Sequence, residues 1–490
     1  MLGALLVVCL LSALPCLTFR YLPMTDLPQH EAIVSIMRHM HDPAYGFDLY
    51  YDWALDRTLY VFPYFLAVGL SYLLPLRWAL HVTVFLATVS YPLGVLFTLR
   101  ALKKPLIFAL LALPLLYNRS FFWGFVHFNL GLGLAFLALS QLVGPWSKGK
   151  GWGVAGLCVL SAVSHVYGLV FLLTYVLAWL VAGERRTLLS RVLWLLPAML
   201  ALGYWAVLAA KAPGYGGIEW SPFHTRLKEF GHSILGGYKD GSENLILVGL
   251  AIVVFALARR DVPWTWRRWK RLDVHGRAVY ILVVLNLAAY FLLPVSTKAA
   301  KLINFRHAII AAMLLPLTVS NYHHPNGRVL VKLVLAALAV VALANTCWHF
   351  WLFNREAREF DAIVAVLPRR PHLTQVTEDA EGAIMRSYPY ANFGGYGQAE
   401  RGGTYTWSFP TVFWNIPVKG RMGSGLPDTR RDIEPVSAQF AQDRLGHTYD
   451  CFLVRLSGGQ TDAVTIQGEH EIAAAIGPWK VNCEIRAVVP

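Results

Sequence analysis

Apolar runs of roughly twenty residues, the length needed to cross the hydrocarbon core of a bilayer, recur through residues 1–353 and are separated by short polar or basic connectors. The first covers 2–19 and carries no charge. Further spans are predicted at 78–99, 105–116 (a shorter one), 130–143, 192–210, 245–258, 279–293, 303–319 and 329–350. The run 153–181 is too long for one ordinary span. Ser164-His165-Val166-Tyr167-Gly168 interrupts it, which predicts two short helices meeting at that point. Residues 58–75 are apolar but carry Pro63 and Pro75, so they read either as a crossing or as an interfacial hairpin. Helical apolar spacing over 32–40 predicts a helix lying along the membrane surface.

From 354 onward the pattern changes. Glycine, proline and charge rise, and no further span appears. Alternating β-rich runs stand at 450–455 and 480–486, and 469–476 reads as helix. The predicted fold is therefore mainly α: a polytopic transmembrane bundle of about 10–12 helices over 1–353, followed by a small mixed α/β domain over 354–490.

Composition agrees with that pattern. Of 490 residues, 56% are hydrophobic and 15% charged, against nearer a quarter charged in soluble chains. The net charge of +14 would suggest nucleic acid in a soluble protein. Here the basic residues cluster in the connectors 100–104, 148–150, 184–191 and 259–277, as the positive-inside rule requires, and nucleic-acid binding is set aside. With 58–75 not crossing and 153–181 crossing twice, all four connectors fall on one side. The acidic first loop 20–57, the loop at 118–127, His165, the long polar loop 211–244, the loop 296–301 and the C-terminal region then fall on the other, outer side. The first run lacks a basic n-region, and Pro23 and Asp26 follow where a cleavage site would be needed, so it reads as a retained helix. Cys9, Cys16, Cys158 and Cys347 lie in apolar runs and read as core; Cys451 and Cys483 are free to pair if their domain is extracytoplasmic.

The first outer loop carries the chemistry that the rest of the chain surrounds. Thr25-Asp26-Leu27-Pro28-Gln29-His30-Glu31 sets two carboxylates and an imidazole, fixed by prolines, where the chain leaves the membrane. Such a carboxylate can take a proton, hold a metal or orient a polar substrate. On the topology chosen, Arg119, His127, Asn129, His165 and Arg306 approach the same membrane face. Singly, each histidine reads as a core residue; together they imply a shared polar cavity, because such groups are costly at membrane depth unless paired or wet. Arg306, with Lys298 and Lys301 nearby, reads either as a snorkelling anchor or as a grip on a lipid phosphate, which its planar fork suits. The aromatic and glycine-rich stretch 388–396 suits sugar stacking, though loop packing explains it better. No Walker loop, Rossmann fingerprint or nucleophile elbow is present.

With those residues in place, the layout resembles the GT-C superfamily of integral-membrane glycosyltransferases, which includes protein O-mannosyltransferases and aminoarabinose transferases. The resemblance rests on the first helix leading into the 25–31 motif, on the multi-span body and on the terminal domain. It implies a multi-pass protein, expected in a bacterial inner membrane with its C-terminal domain outside. It further implies a sugar moved from a polyprenyl-phosphate donor to a lipid, glycan or protein acceptor with inversion at the anomeric carbon. Asp26 would be the base or a metal ligand, with Glu31 and His30 beside it. Arg306 would meet the donor phosphate, helped by Lys298 and Lys301, and His165, His127 and Asn129 would position sugar or acceptor. Many members carry a second acid in the next outer loop, whereas 118–129 has none. His127, Asn129 or Glu31 is left as the partner, and a divalent metal (Mg or Mn) remains open. Two other readings stand beside this one. An O-antigen ligase or polymerase type of transferase would rely on 211–244, through His224 or Arg226. A lipid or glycan transporter would give the terminal domain no role.

Overall fold

The computed structural model describes all residues except 184–187, 213–216, 259–265, 298–299, 320–326, 425–448, 457–469 and 485–490. In chain order the helices that matter are α1 Leu2–Ala13, α2 Leu27–Arg38, α3 Phe62–Leu70, α4 Leu76–Ala101, α5 Val126–Val143, α6 Lys148–Ser164, α7 Val166–Ala182, α8 Leu196–Lys211, α9 Phe223–Ile234, α10 Ser242–Ala258, α11 Val274–Leu292, α12 Ile303–Thr318, α13 Gly327–Ala357, α14 Phe360–Val366 and α15 Gly394–Arg401. The strands are β1 Tyr51–Trp53, β2 His372–Thr377, β3 Thr404–Tyr405, β4 Val418–Gly420, β5 Cys451–Arg455, β6 His470–Ile476 and β7 Trp479–Glu484. Among the described residues, five helical stretches are long and apolar enough to cross a membrane, and five shorter apolar helices accompany them. The protein is a polytopic helical membrane protein with a small sheet near its C-terminus.

The chain divides into two compact units that do not follow the linear order. One comprises Met1–Thr18, Val84–Phe121 and Phe125–Trp348; the other comprises Phe19–Thr83, Phe122–Gly124 and His349–Pro490.

The elements described in the first unit are all helices. Its 153–181 run is broken at His165, where extended backbone (φ −164°, ψ 132°) ends α6 and begins α7. His165 caps the new helix, its Nδ1 accepting from the Tyr167 amide at 3.2 Å. Helices α5, α6 and α7 pack through small residues: a Cβ on Gly168 would collide with Ser161 and the Gly131 carbonyl, and the Ser161 hydroxyl donates to that carbonyl at 2.8 Å. Without side chains in the way, van der Waals contact and interhelical hydrogen bonds replace the hydrophobic drive that lipid cannot supply. The 105–116 span is a 3-10 helix, Leu106–Leu115. The predicted polar loop 211–244 contains α9 and the start of α10.

The second unit holds a five-stranded sheet in the order β3-β2-β5-β7-β6, with β2 parallel to β3 and β5 and the remaining pairs antiparallel. Cys451 and Cys483 stand opposite each other on β5 and β7 and form a disulfide. The helix expected at 469–476 is strand β6: alanine-rich Ile472–Ile476 favours helix locally, but pairing with β7 decides. The helix expected to lie on the membrane surface at 32–40 is α2, and it is buried along its length against α15 rather than lying at the surface. Helix α3, within 58–75, has nine residues, about 13 Å at 1.5 Å per residue, which is shorter than the roughly 30 Å hydrocarbon core of a bilayer. Among the aromatics of 388–396, Tyr390, Phe393 and Tyr396 are buried, Phe393 stacking on Tyr21 and Trp479, which makes them core.

Candidate functional site

Asp26 sits at the N-cap of α2, where Leu27-Pro28 starts the helix with proline's preset φ. Its seat is built from backbone. The Thr25 and Asp26 amides donate to the Phe122 and Trp123 carbonyls at 2.9 and 3.2 Å. Gly124 makes this approach possible: at φ +86° its missing Cβ would stand 2.8 Å from the Asp26 nitrogen. From the other side, the Asn392 side-chain amide donates to the Thr25 carbonyl at 3.0 Å and lies 3.5 Å from Asp26 Oδ1. Gln29 ties the same loop to the chain around α15, donating to the Trp407 carbonyl at 2.8 Å and accepting from the Phe409 amide at 3.2 Å. Asp26 itself is half-buried, and burial alone pushes its carboxyl up to about 7.

His30 is buried one turn further on. Its Nε2 lies 3.0 Å from the Gly124 carbonyl, which can only accept, so Nε2 carries the proton and Nδ1 accepts from the Tyr64 hydroxyl at 2.9 Å. Burial lowers the imidazole to about 4, so it is neutral near pH 7. The structure thus places His30 as a brace between Gly124 and Tyr64. Glu31 is 1% exposed and faces Arg77, whose Nε lies 3.1 and 3.2 Å from the two carboxylate oxygens. Arg77 also reaches Glu400 on α15 at 2.8 Å, with its guanidinium over the rings of Tyr396 and Tyr21 at 4.5 and 5.0 Å. Arg77, Tyr64, Gly124 and Asn392 are the residues that sequence reasoning missed. An arginine heading a predicted span was the one available sign, since such a charge needs a partner.

A divalent metal needs several converging hard ligands. Among the described residues no three His, Cys, Asp or Glu side chains converge on such a site, and His30 has both nitrogens engaged. Among the described residues, the side chains around Asp26 do not form a metal cage.

In the helical unit a second cluster surrounds Arg306, in the first turn of α12. Its guanidinium lies over three rings, Phe125 at 4.9 Å, Tyr167 at 5.1 Å and Phe128 at 5.5 Å, and one Nη donates to the Lys301 carbonyl at 3.4 Å. His165 meets Phe128 edge-on at 5.7 Å, and His127 lies within electrostatic range of His165. His307, not foreseen, packs on Tyr167 at 5.7 Å and bonds Asn286 at 3.0 Å. Asn129 is half-buried, its Oδ1 2.6 Å from the Ser120 hydroxyl, which also lies 2.5 Å from Asn118. Lys301 is exposed, and Lys298 lies outside the described residues. The planar fork of such a cation suits an oxyanion that can accept two hydrogen bonds from it. In the 211–244 segment, His224 is exposed, while Arg226 is buried and donates to the carbonyls of Ser221, Tyr290, Phe291 and Leu293. That arginine closes the end of α11.

No protein-family model and no curated protein matches this chain. Solved structures do, and they are of the GT-C type of membrane glycosyltransferase. ArnT from Cupriavidus metallidurans in the apo state aligns with a TM-score of 0.57 at 11% identity, covering 98% of this chain and 97% of that one. The same protein bound to undecaprenyl phosphate aligns with a TM-score of 0.54 at 11% identity, covering 100% and 98%. The shared feature is the fold, from first helix to terminal sheet.

Proposed function

We propose that this chain is a membrane glycosyltransferase that moves a sugar from a polyprenyl-phosphate donor to an acceptor at the extracytoplasmic face. The observation that carries the reading is Asp26: a half-buried carboxyl with a pKa near 7, held by backbone in the first loop of a fold that matches ArnT end to end. A general base works best with a pKa near the working pH. Ionised Asp26 takes the proton of an acceptor hydroxyl as that oxygen attacks the anomeric carbon. The bond from that carbon to the phosphate oxygen breaks, and the polyprenyl phosphate leaves with the electron pair. One displacement inverts the configuration. Arg306 is assigned to the departing phosphate, whose developing charge its fork would meet. The neighbour that binds undecaprenyl phosphate supports this donor class. His165, His127 and Asn129 are assigned to the sugar or acceptor, and Lys301 and Lys298 to long-range attraction of the phosphate. The Cys451–Cys483 disulfide and the basic connectors support an outward-facing terminal domain.

The test is transfer of labelled sugar from a panel of polyprenyl-phosphate sugars to a membrane extract, by native protein and by Asp26→Asn of equal thermal stability, with and without EDTA. Transfer by the native protein that Asp26→Asn abolishes is the expected result. Equal transfer by both would remove Asp26 from the chemistry. Loss in EDTA would bring a metal into the mechanism.

A further inference from the structure

Glu243 lies in the first turn of the apolar helix α10 and is only 5% exposed. The turn before it fixes the carboxylate. Gly236 takes left-handed backbone (φ +67°), and the next two amides point at Glu243. The Gly237 amide lies 2.8 and 2.7 Å from the two carboxylate oxygens, and the Tyr238 amide lies 2.9 Å from Oε2. Hydrogen bonds from amides favour the ionised form without bringing it a full positive charge. Beside this carboxylate, within the helical unit, a cavity leaves about 20 Å³ open to the centre of a water-sized sphere, where one water needs about 10–15 Å³. Its polar lining is Glu243, Ser12, Tyr117, Tyr238, Asn345 and Thr346, so α1, the chain after the 3-10 helix, the head of α10 and α13 all reach it. Each of these side chains offers an oxygen. Three of the hydroxyls have already committed their single hydrogen to backbone carbonyls: Ser12 donates to Val8 at 2.7 Å, Tyr117 to Ser12 at 2.9 Å and Thr346 to Ala342 at 3.0 Å. What these hydroxyls hold for any further neighbour is lone pairs. A water in this space would find acceptors for its hydrogens but few donors for its own lone pairs. A cation needs acceptors alone.

We propose that this cavity binds one alkali-metal cation, sodium or potassium, between the Glu243 carboxylate and the lone pairs of Ser12, Tyr117 and Thr346. One carboxylate matches one positive charge, and oxygen ligands suit a hard cation. The ion joins α1, α10 and α13, which stand far apart in the sequence, and binding to the folded form alone stabilises that form by mass action. The site shares no residue with the Asp26 or Arg306 clusters and is independent of the transferase reading.

The purified full chain in detergent is assayed for binding of radioactive sodium and of radioactive rubidium, the latter standing in for potassium. It is also melted in sodium, potassium and choline chloride at equal ionic strength, choline carrying the same charge on an ion too large for the cavity. Saturable binding of one alkali ion per chain is expected, with a melting temperature on the order of 2 °C higher in that ion's chloride than in choline chloride. Glu243→Gln keeps the shape, loses the charge and should abolish both effects. Because that variant also weakens the hold on the turn at Gly237, Thr346→Val is run beside it. It keeps the volume and the α13 backbone, removes one ligand oxygen and should weaken binding several-fold. Melts that coincide in all three salts, with neither ion bound, would make the cavity a water site and overturn the proposal. Binding left unchanged by both variants would place the ion elsewhere and overturn it equally. Neither readout needs activity, so failure here is distinct from failure of the transferase assay.

Discussion

At the head of α2 and at its second turn stand two carboxylates, Asp26 and Glu31, and the fold treats them in opposite ways. Glu31 is sealed and matched by Arg77, with two short contacts and a second acid, Glu400, sharing the cation. Asp26 is half-open and given backbone for a seat, and burial alone sets its protonation. A carboxylate gripped by a buried guanidinium is costly to disturb and poorly able to exchange a proton. One raised to about 7 in a half-open position exchanges it readily. The same six residues of chain thus separate a carboxylate that fixes the loop from one free to exchange a proton.

Breaking that contrast at its chemical end should have the largest effect. Asp26→Asn is expected to lower sugar transfer by about 10²–10⁴-fold, the usual contribution of a general base, without lowering the melting temperature. The rate carried by Asp26 should rise with pH through about 7, since the base must be ionised, and this limb should vanish in the variant. Stability should run the other way. The folded carboxyl holds its proton up to about 7 and the unfolded one only to about 4, so this residue's contribution is full at low pH and is lost as pH rises toward 7. Urea unfolding of native protein and Asp26→Asn across that range checks the sign.

At the structural end, Arg77→Met leaves Glu31 buried without its cation and should destabilise by about 3–5 kcal/mol, whereas Glu31→Leu with Arg77→Met should recover much of the loss. Thermal melts of the single and double variants decide whether the pair acts as one unit. Gly124→Ala sharpens the comparison from the backbone side. It forces a side chain into left-handed backbone beside the Asp26 amide, at a cost of about 1–3 kcal/mol, and transfer should fall more than stability does. The smallest effect is expected for Tyr64→Phe, which removes one hydrogen bond to His30, about 0.5–1.5 kcal/mol by unfolding, and lowers transfer modestly.

Much of this was legible in the chain before the fold was known. Hydrophobic run lengths gave the helical body, and the polar break at His165 marked where one long run becomes two helices. Asp26 stood out because prolines and charge follow an uncharged span. Arg77 did not, because nothing local ties it to Glu31, 46 positions earlier in the chain, or to Glu400, 323 positions later. The role of Gly124 depends on a left-handed φ and on a neighbour that only folding brings near. Strand β6 was misread because Ala474 and Ala475 favour helix in isolation, and its partner β7 lies beyond a local window. Arg226 offered a polar loop's charge by sequence, and only the four carbonyls around it show that it closes a helix end.

The seat of the first loop has a consequence in time. Asn392, Gln29's partners at 407 and 409, and Gly395, which lies so close to the Pro28 carbonyl that a Cβ would stand 2.6 Å from it, are all made more than 350 residues after Asp26. During synthesis the loop that bears the carboxylate emerges early and waits, and it is locked only when residues 392–409 arrive. A nascent chain that has not yet reached residues 392–409 therefore carries Asp26 without its setting.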